Sequence, residues 1–403
     1  MPGADPGEGY LATNMQLFGV TAPTTSTPDT NDGFVTDFAN TLSGTDARRP
    51  IVAGTVATDI MGVFTPELLP ILSGLARGYA VCDQWFASVP TETFPNRAFA
   101  SAATSQGHMD DSTSKYTSQS IFGLLSAHQL NWSIYGYDNE PLTRLNFPDT
   151  TDAPESHFGR FEDFQAAAAA GSLGCYTFLE PSWGSSGNSQ HPNYDVALGE
   201  QLIHDVYYAL RNGPAWAQTL LIINYDEHGG CYDHVPPPTG AVPPDNLAGE
   251  FGFDFTRFGV RVPAVLVSPL IAEGTVFRPS GTVPLDHTSV LKTLQTRWGL
   301  PPLTARDAAA PGLGEVLTLG QARSDDPLAG VTVPQSTGPN PVAGTPSHIQ
   351  QVQAQLVSEL PVDDAQGKAH SGMPSLTSEG DYDSYIRSRS AAWKSGRAGQ
   401  AST

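Results

Sequence analysis

Short apolar runs alternate with longer amphipathic stretches along most of the chain. The runs in "YAVCDQWFASV", "WSIYGY", "CYTFLE", "TLLIINYDE" and "VPAVLVSPL" are rich in Val, Ile, Leu and aromatics and are bounded by turn residues, so they predict strands. "TPELLPILSGLARG", "SIFGLLSAHQL", "RFEDFQAAAAAG", "VALGEQLIHDVYYALRNG" and "HTSVLKTLQTRWG" predict helices. In the fourth, Leu202, Ile203, Val206, Tyr207 and Leu210 recur at helical spacing, and Gly213 closes the pattern. Strands alternating with helices predict an α/β fold, a three-layer α/β/α sandwich with helices on both faces of a mostly parallel sheet. Ligands in such sheets gather at the carboxyl ends of strands. The clearest buried strand is "TLLIINY". Residues 1–328 read as one large domain, and the Pro- and Gly-rich stretch 329–347 as a surface linker. Residues 348–403 read as a short C-terminal segment of two helices, frayed at its end.

Charge narrows the picture. With 41 acidic against 20 basic residues, the formal net charge is −21. Such a chain does not hold nucleic acid or an anionic bilayer by bulk attraction. An anionic substrate would need local positive charge from a metal ion, an arginine or a helix N-terminus. The blander alternative is that the acidity serves solubility. No run of eighteen apolar residues is present, so no membrane span is expected. "MPGADPGEGY" has neither the basic region nor the apolar stretch of a signal peptide. Cys82, Cys175 and Cys231 are too few for a disulfide framework and read as mostly buried small residues.

Candidate chemistry concentrates in "NYDEHGGCYDHVPPP", residues 224–238, directly after the clearest strand. Asp226 and Glu227 are hard oxygen donors. Neighbours on a strand point to opposite faces, so both reach one ion only if the strand turns there, and Gly229 and Gly230 supply the turn. The alternative is that the pair caps a helix or binds a surface arginine. His228, Asp233 and His234 close by favour a site. In "SVPTETFPNRAFASAATS", Pro95 suits a first helical turn, which puts Thr93 at or just before a helix N-terminus. Amides there favour an anion, and a metal-activated hydroxyl could attack phosphorus. Thr93 could equally be a helix cap, and Asn96 and Arg97 could face the anion or solvent. His191 lies in a loop before a helix, held extended by the proline after it. At "PLDHTS", Asp286 suits a helix cap and His287 could present its ring to an anion.

Together these stretches resemble the phosphoesterase family that contains bacterial phospholipases C and acid phosphatases, within the alkaline-phosphatase-like superfamily. The resemblance runs from about Asp5 to Ala308. It is carried by "LPILSGLARGYAVCDQWFASVPTETFPNR", "HPNYDVALGEQ", "TLLIINYDEHGGCYDHVPPP", "FGVRVPAVLVSPLI" and "DHTSVLKTLQTRWGL", in the family's order. It implies an alkaline-phosphatase-like fold over residues 1–328 and metal-assisted hydrolysis of phosphoric esters. It also implies one divalent metal ion as cofactor, a phosphate-ester substrate and, for many members, export. By the same resemblance Thr93 matches the hydroxyl nucleophile and Asp226 and Glu227 the acidic pair on the metal. His191 and His287 match histidines that steady the phosphoryl group or the leaving oxygen, and His234 supports the turn or the site. One departure stands out. The family's opening strand ends in a Glu-Asn pair that completes the metal site, and this sequence shows no such motif. Glu8 and Asn14 do not match it and are not assigned to the site. The expected sheet therefore lacks its first N-terminal strand, a central one, leaving backbone groups exposed. The alternative function that follows is a non-catalytic or impaired binding protein on the same fold.

Overall fold

The fold was analysed in a computed structural model that describes residues 4–44, 51–112, 114–184, 187–192, 194–336, 344–362 and 373–401. Residues 1–3 of the chain and 337–343 of the expected linker lie outside them. Two helices, α1 (Tyr10–Phe18) and α2 (Phe34–Ser43), come first. Then follow α3 (Pro70–Gly78), β1 (Ala80–Val81), α4 (Thr93–Ala102), α5 (Ile121–Ala127), β2 (Trp132–Gly136) and α6 (Pro148–Thr151). The middle of the chain forms β3 (Phe158–Arg160), α7 (Phe161–Ala170), β4 (Tyr176–Glu180), α8 (Val196–Arg211), β5 (Leu221–Asn224), β6 (Ala264–Val267) and β7 (Thr275–Val276). The last elements are α9 (Thr288–Trp298), α10 (Ala305–Ala309), α11 (His348–Ser358) and α12 (Glu379–Ala401). Every predicted helix is present, and four of the five predicted strands keep their core residues.

The α/β class and the three layers are as the hydrophobic pattern predicts. On β2, Trp132 and Ile134 pack with α5 and α9, while Tyr135 packs with α7 and α8. Alternate residues of one strand thus meet helices on opposite faces. The strands form two sheets among the described residues. One is wholly parallel, in the order β3-β2-β4, with Trp132 opposite Tyr176 and Gly136 opposite Glu180. The other runs β5-β6-β1-β7; β6 is antiparallel to both its neighbours, and β7 is parallel to β1. β4 and β5 each end a sheet, with one hydrogen-bonded neighbour apiece.

The predicted strand in "YAVCDQWFASV" is shorter than its apolar run, and the reason lies in its partners. After β1 the backbone stays extended but changes neighbour. Cys82 N–H donates to Ala264 O at 2.9 Å, Phe86 N–H to Leu285 O at 2.9 Å and Ala87 N–H to Val260 O at 3.0 Å. The ladder survives only as bridges. The C-terminal helices dock on the body. Ile349, Val357, Ile386 and Trp393 share a core with Phe94 and Leu142. The Arg389 guanidinium donates to the carbonyls of Val357, Ser358 and Leu360, closing the C-terminal end of α11. No helix among the described residues is long and apolar enough to cross a membrane.

Candidate active site

Three segments meet at the carboxyl ends of β4 and β5. One is the turn 225–230 that follows β5. The Gly-Gly pair makes it possible: Gly229 and Gly230 hold φ of 62° and 64°, a region other residues enter only with strain. Space matters as much as conformation. A Cβ on Gly229 would meet Pro192 at 2.6 Å, and one on Gly230 would meet the Gly7 carbonyl oxygen at 2.6 Å. The turn is therefore pressed between the loop carrying His191 and the loop 5–8. The Gly229 N–H donates to Glu227 Oε2 at 2.6 Å, folding that carboxylate back over the turn. His228 locks the other side, its Nε2 donating to Gln16 Oε1 at 2.7 Å, and Gln16 in turn donates to Asp37 at 2.8 Å. Burial pushes the His228 imidazole down to about 4, so it works as a neutral strut.

The second segment delivers Thr93. It is the first residue of α4, with Glu92 in the cap position, so it is not the cap that its sequence allowed. Thr93 is buried at 3% exposure and borders the same cleft as His191, Asp226, Glu227 and His287. Asn96, fully buried, braces the loop before it. Its Oδ1 accepts from Val89 N–H at 3.1 Å, and its Nδ2 donates to Thr91 O at 2.8 Å and to the Val89 and Glu92 carbonyls. Asn96 thus positions Thr93 and does not itself face an anion. The Phe94 amide at the helix start donates to Asp111 Oδ1 at 2.7 Å. Arg97 is paired with Glu180, donates to Thr143 Oγ1 at 3.0 Å, and lies against the Phe178 and Trp183 rings. Its charge is met inside the protein.

The third segment is the one that sequence reasoning missed. Asp5 and Glu8, 6% and 3% exposed, sit beside His191, with Asp5 Oδ1 3.8 Å from Nδ1 and Glu8 Oε2 3.4 Å from Nε2. Ligand atoms of Asp5, Glu8 and His191 all lie within 4.8 Å of one another, a donor set able to hold a metal ion. Two acids and a histidine fit a hard or borderline divalent cation. Sequence reasoning left Glu8 aside because it does not stand in the Glu-Asn motif. The one available signal was a short acidic run close to two glycines, which carries little by itself.

The electrostatics show what this crowding does. Burial works against charging His191, but Glu8 and Asp5, with Glu227 behind them, hold its imidazole well above the ordinary range. Burial pushes the Glu227 carboxyl well up, and Glu8 and Asp226 add to this, against the opposing pull of His191 and the Gly229 amide. Asp111 is likewise driven up by burial and by Glu92, with Glu8 and Asp226 contributing. So many buried carboxylates around a single imidazolium make a strongly negative hole, which a divalent cation would relieve.

The other two expected histidines are placed differently. His287 is buried, with Nε2 donating to the Asp226 carbonyl at 2.6 Å. Its Nδ1 faces Asn224 Nδ2 at 3.2 Å and Trp85 Nε1 at 3.4 Å, both of them donors. That arrangement defines a neutral Nε2–H tautomer, and burial lowers its pKa accordingly. His287 borders the cleft while backing Asp226. His234 is 75% exposed, 3.6 Å from Asp233, and the structure does not bring it to the cleft. Asp233 turns instead to Arg261, in a bidentate pair at 2.8 Å. Asp286 lies one residue before the cap position of α9, which His287 occupies, and from there accepts from Thr288 N–H at 3.0 Å.

A family model described as the Phosphoesterase family matches residues 3–301. The chain is similar to Non-specific phospholipase C3 of Arabidopsis thaliana, 35% identical over 357 residues, covering 82% of this chain and 64% of that protein. It is 37% identical to Non-specific phospholipase C1 of the same plant over 327 residues, 76% of this chain and 58% of that protein. Phospholipase C A of Mycobacterium tuberculosis is 30% identical over 300 residues, 63% of this chain and 55% of that protein. The chain thus spans between 55% and 64% of the length of these relatives.

Proposed function

Since this chain belongs to the phosphoesterase family, we propose that it hydrolyses phosphoric esters, with Thr93 as nucleophile and a divalent cation among the acids of the cleft. The observation that carries the reading is convergence. Thr93, Asp226, Glu227 and His191 come from three distant stretches of sequence and border one cleft, and His191 there meets the buried acids Asp5 and Glu8. Asp226 and Glu227, with Asp5 and Glu8 beside them, are the residues that would hold the ion, which leaves the His191 imidazole to carry a proton. When bound, such a cation supplies positive charge that lowers the proton affinity of a nearby hydroxyl and stabilises a phosphoryl oxygen. Thr93 Oγ1 gives its proton to solvent in the cleft and attacks phosphorus in line, and the bond to the leaving oxygen breaks. His191, kept protonated by Glu8 and Asp5, gives that oxygen its proton. Water then cleaves the phosphothreonine, and His191 recovers a proton. His287 holds the Asp226 backbone in place, and Asn96 holds the loop before Thr93.

The relatives' names make phospholipid head-group esters the first substrates to try. The test compares p-nitrophenyl phosphate, bis(p-nitrophenyl) phosphate and a short-chain phosphatidylcholine, each with and without added Mn²⁺ or Ca²⁺. Thr93→Ala should lower metal-dependent turnover on the order of a thousandfold or more, as loss of a nucleophile does. Full metal-dependent activity in Thr93→Ala would overturn the assignment. A binding protein without catalysis is the second reading, favoured by one observation: Arg97, the expected anion ligand, is already paired with Glu180. Calorimetric titration separates the two. Micromolar affinity for a divalent ion together with turnover supports the enzyme, and tight phosphate-ester binding without turnover supports the binder.

A further inference from the structure

The residues on both sides of Thr93 are tied to the same partner. On its amino side, Glu92 Oε1 accepts from Asp111 N–H at 2.6 Å. On its carboxyl side, Phe94 N–H donates to Asp111 Oδ1 at 2.7 Å. A further bond lies alongside, Thr91 Oγ1 donating to Met109 O at 2.7 Å. The loop that carries Asp111 is itself anchored, because Met109 N–H donates to Glu250 Oε2 at 2.7 Å and Glu250 N–H to Gly107 O at 2.8 Å. The first amides of a helix have no partner within it. Glu92 stands in the cap position of α4 but makes no side-chain cap, and Asp111 serves the Phe94 amide from a distant loop instead. Glu92 is thereby free to hold the Asp111 backbone. Its Oε2 stands 3.3 Å from where a Cβ on Gly9 would lie, so the pair leans on the start of α1, one residue after Glu8.

We propose that Asp111 and Glu92 are positioning residues for the nucleophile, an inference that rests on Thr93 being that nucleophile. Their crossed bonds fix the backbone before and after Thr93, and so fix the direction in which its hydroxyl enters the cleft. Neither carboxylate is among the groups that border the cleft, so neither touches the ester. Phe94 is fully buried, and water does not replace a bond lost at its amide. In-line attack tolerates little error of place, since a shift of about 1 Å costs on the order of a hundredfold in rate. The contribution belongs to kcat, because the crossed bonds act on the placement of the attacking group and not on the affinity for the ester. The second Asp111 oxygen, Oδ2, is buried without a hydrogen bond among the described residues. His348 Nδ1, at the start of α11, faces it at 3.6 Å, too far for one. The Phe94 bond is therefore the one the Asp111 side chain makes.

Two pairs of variants of the full chain test this, Asp111→Ala with Asp111→Asn and Glu92→Ala with Glu92→Gln. Alanine removes the accepting oxygen, whereas Asn and Gln keep it and remove only the charge. Burial and the neighbouring acids already favour the neutral form of Asp111, so Asn is a close mimic. Turnover of bis(p-nitrophenyl) phosphate is measured at saturating Mn²⁺. Each alanine variant should lower kcat about tenfold or more with KM changed by less than about twofold, and each amide variant should restore kcat to within about threefold of the unmodified chain. Amide exchange at Phe94 should be about tenfold faster or more in Asp111→Ala, restored in Asp111→Asn, and unchanged in α12 throughout. Alanine variants that keep kcat overturn the proposal, and so does a rise in KM alone. An amide variant as slow as its alanine counterpart also overturns it, because charge and not the bond would then be the cause. Should one alanine variant not fold, the other pair decides. Absence of turnover in the unmodified chain sinks the phosphoesterase reading itself, whereas turnover that the alanine variants leave intact sinks this inference alone.

Discussion

His191 and His287 border the same cleft and titrate in opposite directions. The difference lies in their neighbours. Glu8 and Asp5 face the first, while the ring nitrogens of the second meet the donors of Trp85 and Asn224 and the Asp226 carbonyl. Nothing in the local sequence distinguishes them, since both are loop histidines next to a helix start. Glu227 carries the reverse problem, a carboxylate disfavoured by burial and by like charge. Glu227→Gln should therefore make the metal-free chain more stable in chelator while weakening divalent-ion binding by at least about tenfold. Denaturant melts and calorimetry read the two effects separately, and their opposite signs are the diagnostic. Asp37 gives a cleaner pH test. Burial raises its carboxyl from 3.8 to about 6, against the hydrogen bond from Gln16. The folded state then binds the proton more tightly than the unfolded state. Stability from this group is full below about pH 4 and is lost as pH rises through about 6. Asp37→Asn should remove that slope, a difference of up to about 3 kcal/mol between pH 4 and 7, measured by urea unfolding at each pH. Among the cysteines, Cys175 is exposed rather than buried, a correction to the sequence expectation.

At the scale of elements, the turn after β5 and the start of α4 are each held by a residue whose task is positional. Gly230 must hold a φ of 64° and leave room for the Gly7 carbonyl. Gly230→Ala adds left-handed strain of about 1–2 kcal/mol and pushes the loop 5–8 away from the turn. The variant should lose about 2 kcal/mol or more in chemical denaturation and bind divalent ions more weakly, because Glu8 moves with that loop. Unchanged stability and metal affinity would show that the contact does not matter. The turn and its glycines were legible in the sequence, because φ above zero after a buried strand calls for glycine. The role of Asn96 was not. In sequence it stands beside Arg97 as a second polar residue on a helix, and only the chain path around Val89 and Thr91 makes it a brace.

For the molecule as a whole, the proposed reading makes a divalent ion, held by the buried acids around His191, a ligand of the folded state alone. Adding such an ion at 100 times its dissociation constant should stabilise the chain by about 2.7 kcal/mol, and excess chelator should reverse this. Thermal melts at several ion concentrations check it, and a midpoint that does not move with concentration would remove the cation from the cleft. The C-terminal helices belong to this same scale. α11 and α12 follow the stretch that the sequence marks as a linker, yet they share a core with Phe94, the residue after Thr93. Hydrophobic spacing alone shows two amphipathic helices and not the surface they cover.

The sequence by itself determined the α/β class, the places of most helices and strands, and the turn that carries Asp226 and Glu227. These follow from local patterns: hydrophobic period, glycine, proline and the order of elements. Tertiary structure alone decided that Asp5 and Glu8 join His191, that His287 backs Asp226, that Arg97 is neutralised by Glu180, and that β4 and β5 face one cleft. Those relations link residues dozens to hundreds of positions apart. No local preference encodes them, because burial, charge and pairing at such distances exist only once the chain has folded.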